Sequence, residues 1–100
     1  MIEIRQTELY KKWFASLKDR NSKARIDIRI RRISLGNLGD VKPVGEGVSE
    51  IRIDYGPGYR IYFVQEQSML IILLCGGDKS TQSQDIQSAH VFARRMKEEQ

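Results

Sequence analysis

The stretch GVSEIRIDYGPGYRIYFVQEQSMLIILLCGGDKS, Gly47 to Ser80, decides the fold of this chain. In 50–55 and again in 59–64, large apolar side chains occupy every second position, which is the period-two pattern of a half-buried strand. The segment Gly56-Pro57-Gly58 between them predicts a turn, because proline fixes its own φ angle and glycine reaches positive φ values. The stretch therefore predicts a β-hairpin.

A three-residue loop at the Gly-Pro-Gly segment fixes the register of this hairpin. It predicts four cross-strand pairs: Ile53 with Ile61, Ile51 with Phe63, Asp54 with Arg60, and Arg52 with Tyr62. The first two pairs are apolar on one face and the last two are polar on the other, so both faces are chemically matched. The apolar run Met69–Cys75 predicts a third strand that is covered on both faces. The predicted meander has a polar face that carries arginines and a tyrosine.

Length and composition indicate one domain, 1–100, in a soluble chain. One hundred residues suit a single core, and 40% apolar with 30% charged residues is typical of a globular protein. No apolar run approaches the roughly 20 residues of a membrane span, and the first residues lack a signal pattern. The single cysteine, Cys75, lies in the apolar run and is expected to be an inert core residue. We therefore expect a cytoplasmic protein with no membrane partner.

The net charge of +4 is unevenly distributed. Residues 1–36 contain ten Lys or Arg against four Asp or Glu, a balance of +6, whereas the remainder has a balance of −2. A basic N-terminal part is typical of proteins that meet a polyanion or an acidic partner. A basic helix that is merely solvated would give the same balance.

The N-terminal third predicts a short strand followed by two helices. Ile2–Arg5 is the strand candidate, and Thr7 is a plausible N-cap for a helix with a broad aromatic face. That face comprises Leu9, Tyr10, Trp13, Phe14 and Leu17, and Trp13 is expected to be a core residue. The segment Asp19–Ser22 then interrupts the pattern and can cap a second helix.

The segment 24–35 fits two periodicities. Its isoleucines alternate as in a strand, yet Ile26, Ile30 and Ile33 also form a helical stripe. The length favours a helix that packs with the first one as a helical hairpin. Helical spacing places three arginines in a row beside the stripe: Arg25, Arg29 and Arg32.

The remaining segments connect the hairpin to a last helix. Gly36 is a candidate left-handed cap for the second helix, and Val41–Gly47 is a connecting segment or short strand. After the third strand, 76–80 is a loop, and Thr81 with Gln84 has the spacing of a capping box. The apolar stripe of the last helix comprises Ile86, Ala89, Ala93 and Met96, with Phe92 beside it.

The search for catalytic motifs leaves only a set of cationic and tyrosine side chains. The sequence has no metal-ligand spacing, no phosphate-binding loop and no Ser-His-Asp arrangement, and the single histidine, His90, is expected to be structural or exposed. The remaining set is Arg52, Arg60, Tyr62, Lys79 and Tyr55. Arginine and lysine are the side chains that grip phosphate. Structural ion pairs are the alternative: Arg60 with Asp54, and Arg52 with Glu50 or Glu66.

Two blocks of sequence resemble the RelE/ParE toxin superfamily, and within it the HigB-like branch of phage-derived addiction module killer proteins. They are EIRIDYGPGYRIYF, residues 50–63, and IILLCGGDKSTQSQDIQSA, residues 71–89. The resemblance covers nearly the whole chain. It implies an α+β fold, with an N-terminal helical hairpin packed on a small, mainly antiparallel twisted sheet and with a C-terminal helix.

The resemblance implies the toxin of a type II toxin–antitoxin module. Such a protein would be a metal-independent, ribosome-dependent mRNA endoribonuclease, without a cofactor, inhibited by a helix-turn-helix antitoxin. By position, Arg52, Arg60 and Lys79 match the basic residues of the family, and with Tyr62 they form the expected catalytic set. Tyr62 or Tyr55 would stack on a base or hold a hydroxyl. The expected RNA-binding set is Arg25, Arg29, Arg32 and Tyr55.

One departure concerns the general base. Nucleases of the superfamily often carry a catalytic tyrosine or histidine near the C-terminus, whereas this chain ends in Lys97–Gln100. No general base is therefore transferable. Two alternative functions stay open: a ParE-like poison of DNA gyrase that performs no chemistry, and a binding module that has lost activity.

Overall fold

The computed structural model describes residues 1–99, and Gln100 lies outside the described residues. The strands are β1 Glu3–Gln6, β2 Val41–Gly45, β3 Val48–Ile53, β4 Tyr59–Glu66 and β5 Leu70–Asp78. The helices are α1 Glu8–Ser16, α2 Arg20–Ser34 and α3 Gln82–Glu98, and a 3₁₀ turn, Lys79–Thr81, leads into α3. The predicted order of elements is confirmed.

The five strands form one sheet in the order β1-β5-β4-β3-β2. Strand β1 is parallel to β5, and every other neighbouring pair is antiparallel. Helices α1 and α2 cover one face of this sheet and α3 covers the other, so the central strands are apolar on both sides. The run predicted as a doubly covered third strand is β5, the strand between β1 and β4.

Helix α1 begins where the sequence predicted. Thr7 accepts a hydrogen bond from the Tyr10 amide and donates one of 2.6 Å to the Leu74 carbonyl, which fastens the helix start to β5. Tyr10 is buried and Trp13 packs edge-on against Tyr59. The predicted aromatic face is thus confirmed, except that Leu9 is 41% exposed because the buried side of the helix is centred on Tyr10.

Helix α2 resolves the ambiguous segment 24–35 in favour of a helix. Asp19 caps its first turn, and Ile26 and Ile33 are fully buried against the sheet. Gly36 ends the helix with a φ of 94°, as predicted for a left-handed cap. The two helices also meet each other, since the Lys23 ammonium lies 5.4 Å from the centre of the Phe14 ring.

The predicted hairpin register is wrong by two residues. Ile51 pairs with Ile61, and Arg52 pairs directly with Arg60 rather than with Tyr62. The loop contains residues 54–58 instead of three, because the Gly58 amide bonds to the Tyr55 carbonyl and closes a turn that begins at Tyr55. A shift of two residues keeps every side chain on its predicted face.

The polar face of the meander is covered by α3, which the sequence did not predict. The apolar stripe of α3 packs on Tyr62, Leu74 and Cys75, and burial raises the pKa of the Cys75 thiol to about 12.

The capping box predicted for Thr81 and Gln84 is wrong. The capping box belongs to the 3₁₀ turn and joins Asp78 to Thr81.

His90 lies on α3 and joins that helix to the turn between β2 and β3. Its Nε2 is 2.9 Å from the Val44 carbonyl oxygen, and its Nδ1 is 3.2 Å from a Glu46 carboxylate oxygen. These contacts agree with the structural role expected of it. No helix in the described part of the chain is long and apolar enough to span a membrane.

The Gly76→Ala variant tests the contact between α1 and β5. A Cβ at position 76 would lie 2.6 Å from Trp13 Cδ2, so the indole ring would have to move. Overpacking of this kind typically costs about 1–3 kcal/mol, which urea unfolding would measure. A Trp13→Phe change in the same protein should recover part of that loss. Equal stability of wild type and Gly76→Ala would contradict the packing.

Candidate active site and basic groove

A buried carboxylate on β3 organises the residues that the sequence singled out. Glu50 is fully buried, and side chains from three elements donate to it. Arg52 Nε lies 3.1 Å from Oε1, while Tyr62 Oη and Gln82 Nε2 lie 2.9 and 2.8 Å from Oε2. Of the two partners considered for Arg52, Glu50 is therefore the one observed.

Arg60 lies next to Arg52, on the neighbouring strand β4, and is the more deeply buried of the two. Its side chain is 10% exposed, its Nε is 3.8 Å from Glu50 Oε1, and its Nη1 donates to the Tyr59 carbonyl. The alternative pairing of Arg60 with Asp54 is wrong, because the register shift moves Asp54 into the loop. Two guanidinium groups thus share the Glu50 carboxylate.

The protonation states within the cluster follow from its contacts. Burial alone would raise the pKa of Glu50, but the hydrogen bonds from Arg52, Gln82 and Tyr62 and the charge of Arg60 outweigh it and lower that pKa. The pKa of Tyr62 is raised by burial and by its hydrogen bond to Glu50. Glu50 is therefore a carboxylate and Tyr62 a neutral phenol at neutral pH.

Tyr62 is not available to stack on a base. Its ring is fully buried beneath α3, so the expected stacking role for Tyr62 is wrong. Its hydroxyl instead holds the Glu50 carboxylate. Tyr55, in the loop after β3, is the partly exposed tyrosine of the pair.

Lys79 lies at the end of the same row of residues. Arg52, Arg60 and Gly77 are directly paired across β3, β4 and β5, and Lys79 follows two positions after Gly77. Its side chain runs over Gly58, with Cδ 3.0 Å from where a Cβ on that glycine would be. Within residues 1–99 the Lys79 ammonium has no ion-pair partner. Lys79 is thus an exposed cation beside the buried cluster.

Asp85 is a carboxyl group in this region that the sequence analysis did not single out. Its carboxylate occupies the space that a side chain on Gly77 would fill, next to Arg60 in the row, and accepts a 2.6 Å hydrogen bond from Thr81. Burial raises its pKa, and the nearby charge of Asp78 adds to that effect. The signal in the sequence was the pair Gly76-Gly77, since glycine inside a strand marks a close approach.

The four residues of the expected RNA-binding set line one groove, which we call the α2 groove. It has a volume of about 580 Å³ and lies between α2 and the end of β3. Its lining residues are Asn21, Ala24, Arg25, Ile28, Arg29, Arg32, Ile53, Asp54 and Tyr55. The Arg25 guanidinium stacks on the Tyr55 ring, 4.3 Å from its centre, and Arg32 is exposed.

Within the described residues, the guanidinium group of Arg29 forms hydrogen bonds with backbone carbonyls and not with another side chain. Its guanidinium donates to the carbonyls of Arg52, Leu38 and Asp40 at 2.6–3.2 Å. Burial lowers its pKa, although the charge of Asp40 opposes that effect. Arg29 therefore braces the loop before β2, and Arg25 and Arg32 are the cations that the groove offers to a ligand. The hydrogen bond to the Arg52 carbonyl also joins the groove to the Glu50 cluster.

Within residues 1–99, no group of three or more His, Cys, Asp or Glu side chains is arranged to hold a metal ion. The chemistry that the arrangement can perform is the binding of a polyanion and the stabilisation of negative charge. Arg52 and Lys79 supply the accessible cations for it, and Arg60 adds a buried one.

The fold is that of the RelE toxins. The chain matches a structure of the Escherichia coli toxin RelE, an arginine-to-alanine double mutant in the free state, with a TM-score of 0.68. The match covers 90% of this chain and 94% of that one at 13% sequence identity, so it shows the fold alone. The fold predicted from the sequence, a RelE-like α+β sheet, is confirmed.

The chain belongs to the family described as Phage derived protein Gp49-like (DUF891), whose model matches residues 12–97. It is also 46% identical over 95 residues to a Haemophilus influenzae protein described as uncharacterized, covering 95% of this chain and 96% of that protein. The family and the fold together support the resemblance to RelE-type toxins.

Proposed function

We propose that this protein is the toxin of a type II toxin–antitoxin module and acts as a metal-independent, ribosome-dependent mRNA endoribonuclease of the HigB-like branch. The observation that carries the proposal is the cationic end of a RelE-like sheet. There Arg52 and Arg60 lie against the Glu50 carboxylate, and Lys79 follows two positions after Gly77, the residue that pairs with Arg60. A developing negative charge on phosphate is the chemistry that such a site suits.

RNA cleavage without a metal needs little covalent help from a protein. The ribose 2′-hydroxyl loses its proton to water and its oxygen attacks the adjacent phosphorus in line, while the bond from phosphorus to the 5′-oxygen breaks and that oxygen takes a proton from water. The products are a 2′,3′-cyclic phosphate and a 5′-hydroxyl, and negative charge accumulates on the phosphoryl oxygens in the transition state. Arg52 and Lys79, the exposed cations of the site, would stabilise that charge directly. Arg60 would add to the potential from its buried position.

The α2 groove is the surface proposed for binding the rest of the RNA. Arg25 and Arg32 would neutralise backbone phosphates, and the Tyr55 ring would stack on a base if Arg25 moves off it. The groove ends at Asp54 and Tyr55 in the loop after β3, and the Lys79 side chain runs over Gly58 of the same loop, so RNA bound in the groove would approach Lys79 around this loop.

Replacing Arg25 and Arg32 with glutamine should weaken RNA binding and flatten its salt dependence. Each lost phosphate contact with a single strand reduces the slope of log K against log salt by about 0.7. The double variant should therefore lose about 1.4 units of slope, measured by fluorescence anisotropy with a labelled RNA. Arg31→Gln, an exposed arginine of α2 outside the groove, is the control. An unchanged slope would assign the groove another role.

The partner proposed for this toxin is an antitoxin with a helix-turn-helix fold. The family and fold support an antitoxin partner, and the +6 balance of residues 1–36 favours an acidic contact surface on it. A protein whose target is mRNA on the ribosome would act in the cytoplasm.

Induction of the chain in bacterial cells tests the proposed function. We expect growth arrest and new mRNA 5′ ends that primer extension detects within minutes. Growth arrest with DNA damage signalling and intact mRNA would instead indicate a gyrase poison. Normal growth would indicate a binding module without activity. Co-expression with an antitoxin encoded by the neighbouring gene should restore growth and give a soluble complex.

A further inference from the structure

Arg52 and Arg60 face each other directly across β3 and β4. Like charges in that arrangement repel, and both side chains are on the face that α3 covers. The structure opposes this repulsion with the Glu50 carboxylate, whose Oε1 lies 3.1 Å from Arg52 Nε and 3.8 Å from Arg60 Nε. One carboxylate oxygen thus accepts a hydrogen bond from Arg52 and attracts the charge of Arg60.

The other oxygen of Glu50 is fixed independently. Tyr62 and Gln82 both donate to Oε2, from β4 and from the first residue of α3. With one oxygen held by neutral donors and the other facing the arginines, the carboxylate cannot rotate to follow either guanidinium. The direction in which Arg52 presents its positive charge is therefore determined by a group that is itself buried.

Stability alone does not account for this cluster. Burying ionic groups gains little over apolar side chains of similar size, and the cluster leaves the buried Arg60 Nε without a hydrogen-bond partner within the described residues. Despite this cost, the cluster keeps two guanidinium groups in the row of residues that leads to Lys79.

We infer that Glu50 is a positioning residue for RNA cleavage: it holds Arg52 and Arg60 so that their charge meets the phosphate at which the chain would cut, without touching the RNA itself. This inference rests on the proposed function. Glu50 has no exposed surface, so it acts through the arginines and is neither a general base nor a ligand of the substrate.

The test replaces Glu50 with glutamine, which keeps the shape and an acceptor oxygen but removes the charge. Single-turnover cleavage is measured on mRNA bound to bacterial ribosomes at saturating protein. Affinity is measured on the same complexes with 2′-O-methylated mRNA, which cannot be cut. Glu50→Gln should cleave about 10²-fold more slowly, because the arginines lose their fixed orientation. Its affinity should be equal or higher, because the site gains one positive charge.

The control is Thr7→Ala, which destabilises the protein through the α1 cap, at a distance from the cluster. At a temperature where both variants are folded by circular dichroism, the control should cleave at the wild-type rate. If Glu50→Gln does not fold, Glu50→Asp takes its place. It keeps the charge but is one methylene too short to reach both sets of donors, so it should cleave more than 10-fold more slowly with unchanged affinity.

Three results would overturn the inference. They are wild-type cleavage by folded Glu50→Gln or Glu50→Asp, a parallel loss of cleavage and affinity, and an equal loss in the Thr7→Ala control. Absence of cleavage by the wild type under the same conditions would remove the proposed function, and the inference with it. If the wild type cleaves mRNA but one of these three results is obtained, the inference fails and the proposed function stands.

Discussion

Replacing Lys79 with alanine should reduce mRNA cleavage about 10²–10³-fold, the usual effect of removing one donor that stabilises charge in the transition state. Lys79 is the suitable residue for this test because it is exposed and makes no ion pair within residues 1–99, so its loss leaves the packing intact. Single-turnover cleavage and a survival assay after induction would both measure the effect. The melting temperature should stay within a degree or two of the wild type.

The matched control is Lys97→Ala. Lys97 is an exposed lysine on α3 itself. It lies near the C-terminal end of that helix, beside the turn between β2 and β3, whereas Lys79 precedes the N-terminal end. Both variants lose one positive charge, so any non-specific electrostatic effect on RNA binding is shared. Cleavage by Lys79→Ala at the wild-type rate would exclude Lys79 from the site. An equal loss of cleavage in both variants would indicate that net charge, rather than position, matters.

Glu50→Ala should lower the free energy of unfolding by about 3–5 kcal/mol, the usual cost of removing one partner from a buried ion pair. The variant leaves Arg60, nine-tenths buried, without a counter-charge and removes the acceptor for Tyr62 and Gln82. Because Arg52 is about a third exposed and can turn to solvent, the lower part of that range is expected. Urea unfolding at neutral pH gives the value.

Two comparisons make this measurement specific. Glu3→Ala removes a carboxylate from an exposed pair with Arg5 and should cost less than about 1 kcal/mol. The pKa of Glu50 is lowered in the folded protein, so its contribution is present at neutral pH and is lost as the pH falls below its ordinary value of 4.5. The stability gap between wild type and Glu50→Ala should therefore narrow in acid. A loss of less than about 1 kcal/mol in the free energy of unfolding of Glu50→Ala would contradict this expectation, because it would mean that water solvates the donors that Glu50 leaves unpaired.

The strands and helices could be predicted from periodicity, but the hairpin register could not. Alternation determines which face a side chain takes, and that prediction was correct for 50–53 and 59–63. The register depended on loop length, and Gly56-Pro57-Gly58 suggested three residues. Tyr55 belongs to the loop rather than to β3, because the Tyr55 carbonyl closes the turn and the Tyr55 ring packs under Arg25. Such a contact between distant segments leaves no local signal.

The position of the candidate site was predictable, whereas its burial was not. Alternation placed Arg52, Arg60 and Tyr62 on one face, and they do share it. A polar face suggests exposure to solvent, whereas the apolar stripe of α3 needs a surface to cover and packs on this one. Glu50 was considered only as a partner of Arg52. A glutamate on the same face as two arginines and a tyrosine, under an amphipathic helix, was the available signal for a buried hub.

The parallel pairing of β1 with β5 has a consequence for the order of folding. Thr7 and Leu74, which are 67 residues apart, share the hydrogen bond that fastens α1 to the sheet. During synthesis β1 leaves the ribosome first and has no neighbour until β5 emerges, so long-range closure must wait for most of the chain. The core under α1 and α2 therefore forms only after β5 has left the ribosome. Under the proposed function, a nascent chain would have no toxic activity before that strand has been synthesised.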